Sequence, residues 1–192
     1  MSPKQGLLIV ISGPSGVGKD TLIQRLRDLD PGLRYSISYT TRKPRPGEVA
    51  GVNYFFVNRE RFEELIAQGF FLEYATYNGH YYGTPAAAVE AARNAGHDIL
   101  LKIDVKGAEQ VRKRAPDGLF IFIAPPSREE LIRRQEQRAG AHAEEDMAER
   151  RKIAETEMKH ASQYDFVVVN DDLERAVREV LEIIQKARGR QT

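Results

Sequence analysis

The chain has 192 residues, 41% of them hydrophobic, which is enough for one domain with a small insertion to bury its own core. With 29 Lys and Arg against 28 Asp and Glu, the net charge of +1 supplies no field that would collect nucleic acid or an anionic membrane. The absence of cysteine excludes disulfides and thiolate metal sites, and no apolar run approaches the ~20 residues that span a bilayer.

In chain order, the opening Met1 to Gly6 lacks the apolar core of a signal peptide, so a cytoplasmic protein is expected. The run Leu7 to Ile11 reads as a buried strand and leads into Ser12-Gly13-Pro14-Ser15-Gly16-Val17-Gly18-Lys19-Asp20-Thr21. This matches the phosphate-binding loop G-x-x-x-x-G-K-[ST] up to its last position, where Asp20 replaces the hydroxyl and Thr21 supplies one a residue later. Lys19 to Leu29 carries helical periodicity. In a strand, loop and helix of this kind, backbone N–H groups and the helix N-terminus gather around a phosphate, and the lysine reaches the outer phosphates. Gly13 to Thr21 is therefore the candidate nucleotide loop.

Between Leu33 and about Ala88 the pattern changes. Tyr35 to Thr40 alternates polar and apolar residues, aromatics cluster at Tyr54-Phe55-Phe56 and Tyr81-Tyr82, and Pro44, Pro46-Gly47 and Asn78-Gly79 mark turns. Alternation predicts a mostly antiparallel sheet with one solvated face. Residues 34–88 are thus expected to form a lobe inserted into a core of residues 1–33 and 89–192.

Beyond the insert, apolar runs at Ile99 to Ile103, Leu119 to Ala124 and Phe166 to Val169 precede helical patterns at Val105 to Arg114, Ser127 to Arg138 and Leu173 to Ala187. A further helix is expected from about Glu145 to Ser162. Ser127 and Glu130 form a capping-box start, and Pro125-Pro126 ends the strand before it. Such runs fit strands buried on both faces of a parallel sheet, and the alternation predicts an α/β sandwich with right-handed crossovers. Ala139 to Glu144 reads as a loop between two arginine-rich helices. His80, His97, His142 and His160 have no metal-ligand spacing.

A phosphate loop implies a nucleotide and no more, so the insert must name the second substrate. Thr40-Thr41-Arg42-Lys43-Pro44-Arg45-Pro46-Gly47-Glu48 sets two arginines three apart on a proline-stiffened turn, with tyrosines nearby. That set can grip a second phosphate bidentately; as residue types alone it equally describes a solvated basic turn.

With Asn53-Tyr54-Phe55-Phe56, Phe71-Leu72-Glu73-Tyr74 and Gly79-His80-Tyr81-Tyr82-Gly83-Thr84-Pro85, the sequence resembles the guanylate kinase family over nearly its whole length. The resemblance implies a P-loop NTPase three-layer sandwich with a parallel core sheet, an inserted nucleoside-monophosphate lobe and a helical lid at about 134–150. It implies transfer of the γ-phosphoryl group of ATP to GMP, with Mg²⁺ accompanying ATP, as lobe and lid close over both nucleotides. Carried over by motif, Gly13, Pro14, Ser15, Gly16, Val17, Gly18, Lys19, Asp20, Thr21 and Asn170 contact ATP. Ser38, Arg42, Arg45, Tyr54 and Tyr82 hold the GMP phosphate, while Glu73, Thr84 and Asp104 read guanine. Lys19, Arg42, Arg134, Arg138 and Arg150 carry catalysis, with Arg133 and Arg151 as neighbouring competitors. The chemistry suits this assignment. Guanine offers adjacent donors at N1 and N2 that one carboxylate accepts together, whereas adenine presents an acceptor there and leaves the buried charge unpaired. Phosphoryl transfer passes through a loose state whose charge is met by cations positioned in advance.

Three positions depart from the family pattern. Asp20 replaces Ser, Thr or Gly, Lys102 replaces an acid that often precedes the aspartate of its strand, and Arg138-Ala139-Gly140-Ala141-His142 replaces the usual Arg-Gly-Thr-Asp. The first two read as one exchange of a hydroxyl and acid for an acid and lysine, predicting an ion pair within about 4 Å. Mg²⁺ would then be held mainly by phosphate oxygens and water, with no dedicated protein ligands. Two alternatives remain at this stage. Ribose 1,5-bisphosphate phosphokinases resemble guanylate kinases and carry Gly-Lys-Asp in the loop, and guanylate-kinase-like phosphopeptide-binding modules have degraded loops. Oligomeric state has no sequence signature here.

Overall fold

A computed structural model of the chain describes residues 5–139, 152 and 154–190. The elements in chain order are β1 (Leu8–Ser12), α1 (Lys19–Leu29), β2 (Arg34–Tyr35), β3 (Tyr39–Thr40), β4 (Phe55–Phe56), α2 (Arg59–Ala67), β5 (Phe71–Tyr77), β6 (His80–Pro85), α3 (Ala86–Asn94), β7 (Ile99–Lys102), α4 (Val105–Arg114), β8 (Leu119–Ala124), α5 (Arg128–Ala139), β9 (Phe166–Val169) and α6 (Leu173–Arg190). Two compact units emerge: Gly32–Gly118 with the chain up to Leu8, and Ile9–Pro31 with the chain from Leu119 onward.

In the second unit, Ile9 to Ser12 pair in parallel with Leu119 to Phe122, and Ile121 to Ala124 pair in parallel with all of β9. β1 is buried throughout, as expected of a strand covered on both faces. β9 is not. Only Val168 is buried, while Phe166, Val167 and Val169 are exposed, because β9 is the outermost strand beside β8. Helices α1 and α6 are joined by Arg25–Glu174 at 2.8 Å and Arg188–Asp30 at 2.7 Å. Helix α6 turns Ala176, Val177, Val180, Ile183 and Ile184 inward at helical spacing. Ser127 caps α5 by accepting from the Glu130 N–H at 3.1 Å, while the Glu130 carboxylate is bonded to Arg133 and Arg134. The helix expected at about 145–162 falls partly outside the described residues; residues 154–158 are helical, and Ala161–Gln163 form a 3₁₀ turn.

The first unit holds two sheets. The alternating stretch Tyr35 to Thr40 is divided between the two sheets. Arg34 and Tyr35 pair in parallel with β7, whereas Tyr39 and Thr40 join a four-stranded sheet ordered β4-β3-β6-β5. Alternation did not report the inward face either: the polar Ser36, Ser38 and Thr40 are buried, and Tyr35, Ile37 and Tyr39 are half-buried. β5 and β6 form an antiparallel hairpin across Asn78-Gly79, both at positive φ. Phe62, Leu65 and Phe71 centre this unit's aromatic core, with Phe62 stacked on Phe71 and Tyr81. Helices α2 and α3 lie within a segment read from sequence as mostly strand. The Asn58 side chain caps α2 by accepting from the Arg61 N–H at 2.8 Å. Asn58→Ala should cost about 1 kcal/mol of unfolding free energy, read as a lower urea midpoint at unchanged slope. No helix of the described residues is long and apolar enough to cross a membrane.

Candidate functional site

On the donor side, the chain leaves β1 and turns through Gly13, Gly16 and Gly18 at φ 140°, 90° and 98°. Gly18 is the N-cap of α1, and a Cβ there would lie 2.6 Å from Asn170 Nδ2, so both the backbone angle and the space demand glycine. The loop's carbonyls are tied down from outside. Asn170 Nδ2 donates to the Val17 carbonyl at 2.8 Å, Arg134 Nη1 donates to the Val17 and Asn170 carbonyls at 3.3 and 3.1 Å, and Gln135 Nε2 donates to the Ser15 carbonyl at 2.8 Å. Lys19 Nζ donates to the carbonyls of Gly13 and, at 2.9 Å, Pro14. The ammonium thus lies within the curl of the loop. Asp20 and Thr21 are exposed in the first turn of α1.

Of the three arginines that the resemblance assigns to a lid, Arg134 is half-buried and also pairs with Glu130 at 2.7 Å. The competing Arg133 is exposed and donates to both oxygens of the same carboxylate, sharing Oε1 with Arg134. Together they hold Glu130 well below the usual carboxylate range, at about 2. Arg138 lies in the last turn of α5, its side chain outside the described set, and Arg150 and Arg151 also fall outside the described residues.

On the acceptor side, β3 ends at Thr40, and the turn after it carries Arg42. Its guanidinium meets Glu48 in a two-point ion pair at 2.7 and 2.9 Å, donates to the Lys43 carbonyl at 2.7 Å, and lies 5.4 Å from the centre of the Tyr54 ring. Glu48 also accepts from the Arg45 N–H at 2.7 Å, and this pairing lowers its pKa while raising that of Arg42. Tyr82 adds to the rise in the Arg42 pKa and packs edge-on against Tyr54 at 5.9 Å. Lys102 Nζ lies 3.3 Å from the Tyr54 hydroxyl. Arg42, Tyr54 and Tyr82 are therefore together, with Lys102 as a further cation. The Arg45 side chain is on an exposed turn, and Ser38 is buried just ahead of β3.

Glu73 and Thr84, two of the residues the resemblance assigns to the base, are buried, and Asp104 beside them is half-buried. Glu73 is 3% exposed, and its carboxyl accepts from the Thr84 hydroxyl at 2.5 Å. Asp104 caps α4 by accepting from the Gly107 N–H at 2.7 Å. A Cβ on Gly107 would stand 2.4 Å from Glu73 Oε2, so the absent side chain is what lets the carboxyl lie against the first turn of α4. Burial pushes the Glu73 pKa up to about 7; Asp104 adds to the rise, and the Thr84 hydrogen bond opposes it. A buried carboxyl with one donor already in place is suited to accept two more from a planar partner.

A sequence model of the family described as guanylate kinase matches residues 5–187. The chain belongs to the guanylate kinase family. It is 48% identical over 184 residues to the guanylate kinase of Desulfitobacterium hafniense strain Y51, covering 96% of this chain and 92% of that one. It is 50% identical over 184 residues to that of Shouchella clausii strain KSM-K16, covering 96% and 89%. The solved structure of guanylate kinase from Anaplasma phagocytophilum superposes with a TM-score of 0.81 at 34% identity, covering 97% of this chain and 88% of that one. Guanylate kinases are nucleoside monophosphate kinases, ATP:GMP phosphotransferases.

Two residues of this guanylate kinase escaped the sequence reading. Glu48 stands inside the quoted basic turn, and its pairing with Arg42 needs the Pro46-Gly47 reversal to bring residues six apart face to face. Gln135, 4% exposed, reaches a loop 120 residues away, and nothing in its local pattern marks it.

Proposed function

We propose that this guanylate kinase reads GMP in its first unit and holds ATP in its second, with residues 34–88 acting as the acceptor lobe and about 134–150 as the lid that closes with it. The observation that supports this most is the buried Glu73, ringed by Thr84, Asp104 and Gly107. Guanine N1–H and N2–H supply the two donors this carboxyl lacks, and an adenine ring nitrogen in their place leaves its charge unmet. Arg42, Arg45, Tyr54, Tyr82 and Ser38 take the acceptor phosphate, and Arg42 keeps it in line while its negative charge is neutralised. On the donor side, Lys19 and the loop from Gly13 to Thr21 take the β- and γ-phosphates, with Asn170 on the adenine side. Arg138 and Arg150 serve the transferring group.

ATP-dependent kinases of this kind use Mg²⁺. Oxygen donors at the first turn of α1, the Asp20 carboxylate and Thr21 hydroxyl, fit a hard cation that keeps most of its water. Such an ion would supply neutralisation of phosphate charge, held mainly by phosphate oxygens and water, with Asp20 and Thr21 meeting it through that water.

An assay following ADP release from ATP and Mg²⁺ tests this reading. GMP should support turnover and ribose 1,5-bisphosphate should not; the reverse order of rates would overturn it. Arg134→Ala should raise the KM for ATP about tenfold, the loss of roughly one charged hydrogen-bond set. Arg133→Ala should leave it within about twofold, as for an exposed i,i+3 pair.

A further inference from the structure

Glu73 sits at a break in its strand. Phe71 stands opposite Pro85 and Glu73 opposite Thr84, so two steps along β5 match one along β6, and Leu72 is the extra residue of a β-bulge. Bulges re-aim side chains and leave backbone groups outside the ladder. Here those groups are met from α4. Arg114 Nη1 donates to the carbonyls of Phe71 and Leu72 at 2.8 and 2.5 Å. One residue beyond Glu73, Gln110 Oε1 accepts from the Tyr74 N–H at 3.2 Å, and Gln110 Nε2 donates to the Tyr74 carbonyl at 2.7 Å. The carboxamide thus pairs with the peptide as a neighbouring strand would, on the outer strand of its sheet.

Gly107, Gln110 and Arg114 fall at i, i+3 and i+7, one face of α4. That face meets the Glu73 carboxyl through the space above Gly107 and meets the backbone on both sides of Glu73 through the other two. We propose that Gln110 and Arg114 are positioning residues for base selection, fixing the depth and angle of the Glu73 carboxyl by clamping its strand to α4. The proposal rests on Glu73 as the guanine acceptor. Two hydrogen bonds from one ring edge to one carboxylate require both N–H···O distances to fall near 2.7–3.2 Å together, so a tilt of the carboxyl sacrifices one of them. Inosine monophosphate keeps N1–H and lacks the 2-amino group, and it reports that second bond.

The test is kcat/KM for GMP and for inosine monophosphate, with the KM for ATP, in wild type, Gln110→Met, Arg114→Met, Arg114→Lys and Glu73→Gln. Arg114 also acts on the Glu73 charge directly, so the uncharged Gln110→Met isolates position, and it carries the test if Arg114→Met does not fold. Gln110→Met and Arg114→Met should each narrow the preference for GMP about tenfold, the value of one net hydrogen bond, at unchanged KM for ATP. Arg114→Lys, still able to donate to the two carbonyls, should recover part of it. An unchanged preference in Gln110→Met and Arg114→Met, with Glu73→Gln losing it, overturns the positioning role. A preference that survives Glu73→Gln overturns the reading of Glu73 itself.

Discussion

Replacing Lys19 with methionine should lower kcat/KM for phosphoryl transfer about 10³-fold, the scale on which a preorganised cation acts in such reactions, while GMP affinity stays at the wild-type value. The ammonium lies on the carbonyls of Gly13 and Pro14, so the loop itself holds the charge at the place proposed for the phosphates of ATP. Methionine keeps the length and removes that charge. The loop's shape should survive, because its carbonyls at Ser15 and Val17 are anchored independently by Gln135, Asn170 and Arg134. Single-turnover kinetics with saturating ATP, beside calorimetric titration of GMP, separate the two expectations. A variant retaining a tenth of the wild-type rate would show that Lys19 is not the donor-side cation.

Glu73→Gln should cost about 10²-fold in kcat/KM for GMP, since one of guanine's donors then faces an amide N–H and a charged hydrogen bond is lost. The same substitution should change the pH profile. With its pKa raised to about 7, the Glu73 carboxyl is protonated in the free protein at pH 6, and guanine takes the ionised form. GMP affinity should therefore climb with pH and level off above about 7, up to tenfold per unit below it, since each unit is 1.36 kcal/mol. The GMP phosphate titrates near pH 6 as well, so the ratio of wild type to Glu73→Gln isolates the carboxyl. Stability of the free protein has the opposite slope. A carboxyl whose folded pKa is raised contributes fully below its unfolded value near 4.5, and that contribution is lost as pH rises to about 7. The unfolding free energy of wild type, read from urea titrations, should fall across this window relative to Glu73→Gln by up to about 3 kcal/mol. Parallel profiles for the two proteins would contradict both statements.

Where local geometry alone forces a residue type, the sequence was readable. Gly18, Lys19 and the helix beginning there follow from the loop, and the bounds of α1, α4, β8 and β9 match their apolar periodicity. Helix α2 was hidden because only Phe62 and Leu65 mark its inward face among charged residues. The sheet joined by Tyr35 could not be read from alternation, which carries no partner and here placed the polar Ser36, Ser38 and Thr40 inward. At the acceptor site, Glu73, Thr84 and Asp104 could be named from the family resemblance, and the structure brings them to one place. Their supports could not. Gln110 and Arg114 act on main-chain atoms 36 to 43 residues away, and backbone partners leave no trace in residue type.

The most direct test of the account is a crystal structure of the protein with GMP bound. Guanine N1 and N2 should each lie about 2.7–3.2 Å from a Glu73 carboxylate oxygen, with the phosphate on Arg42, Tyr54 and Tyr82. A guanine ring held elsewhere, with Glu73 still bonded only within the protein, would contradict it.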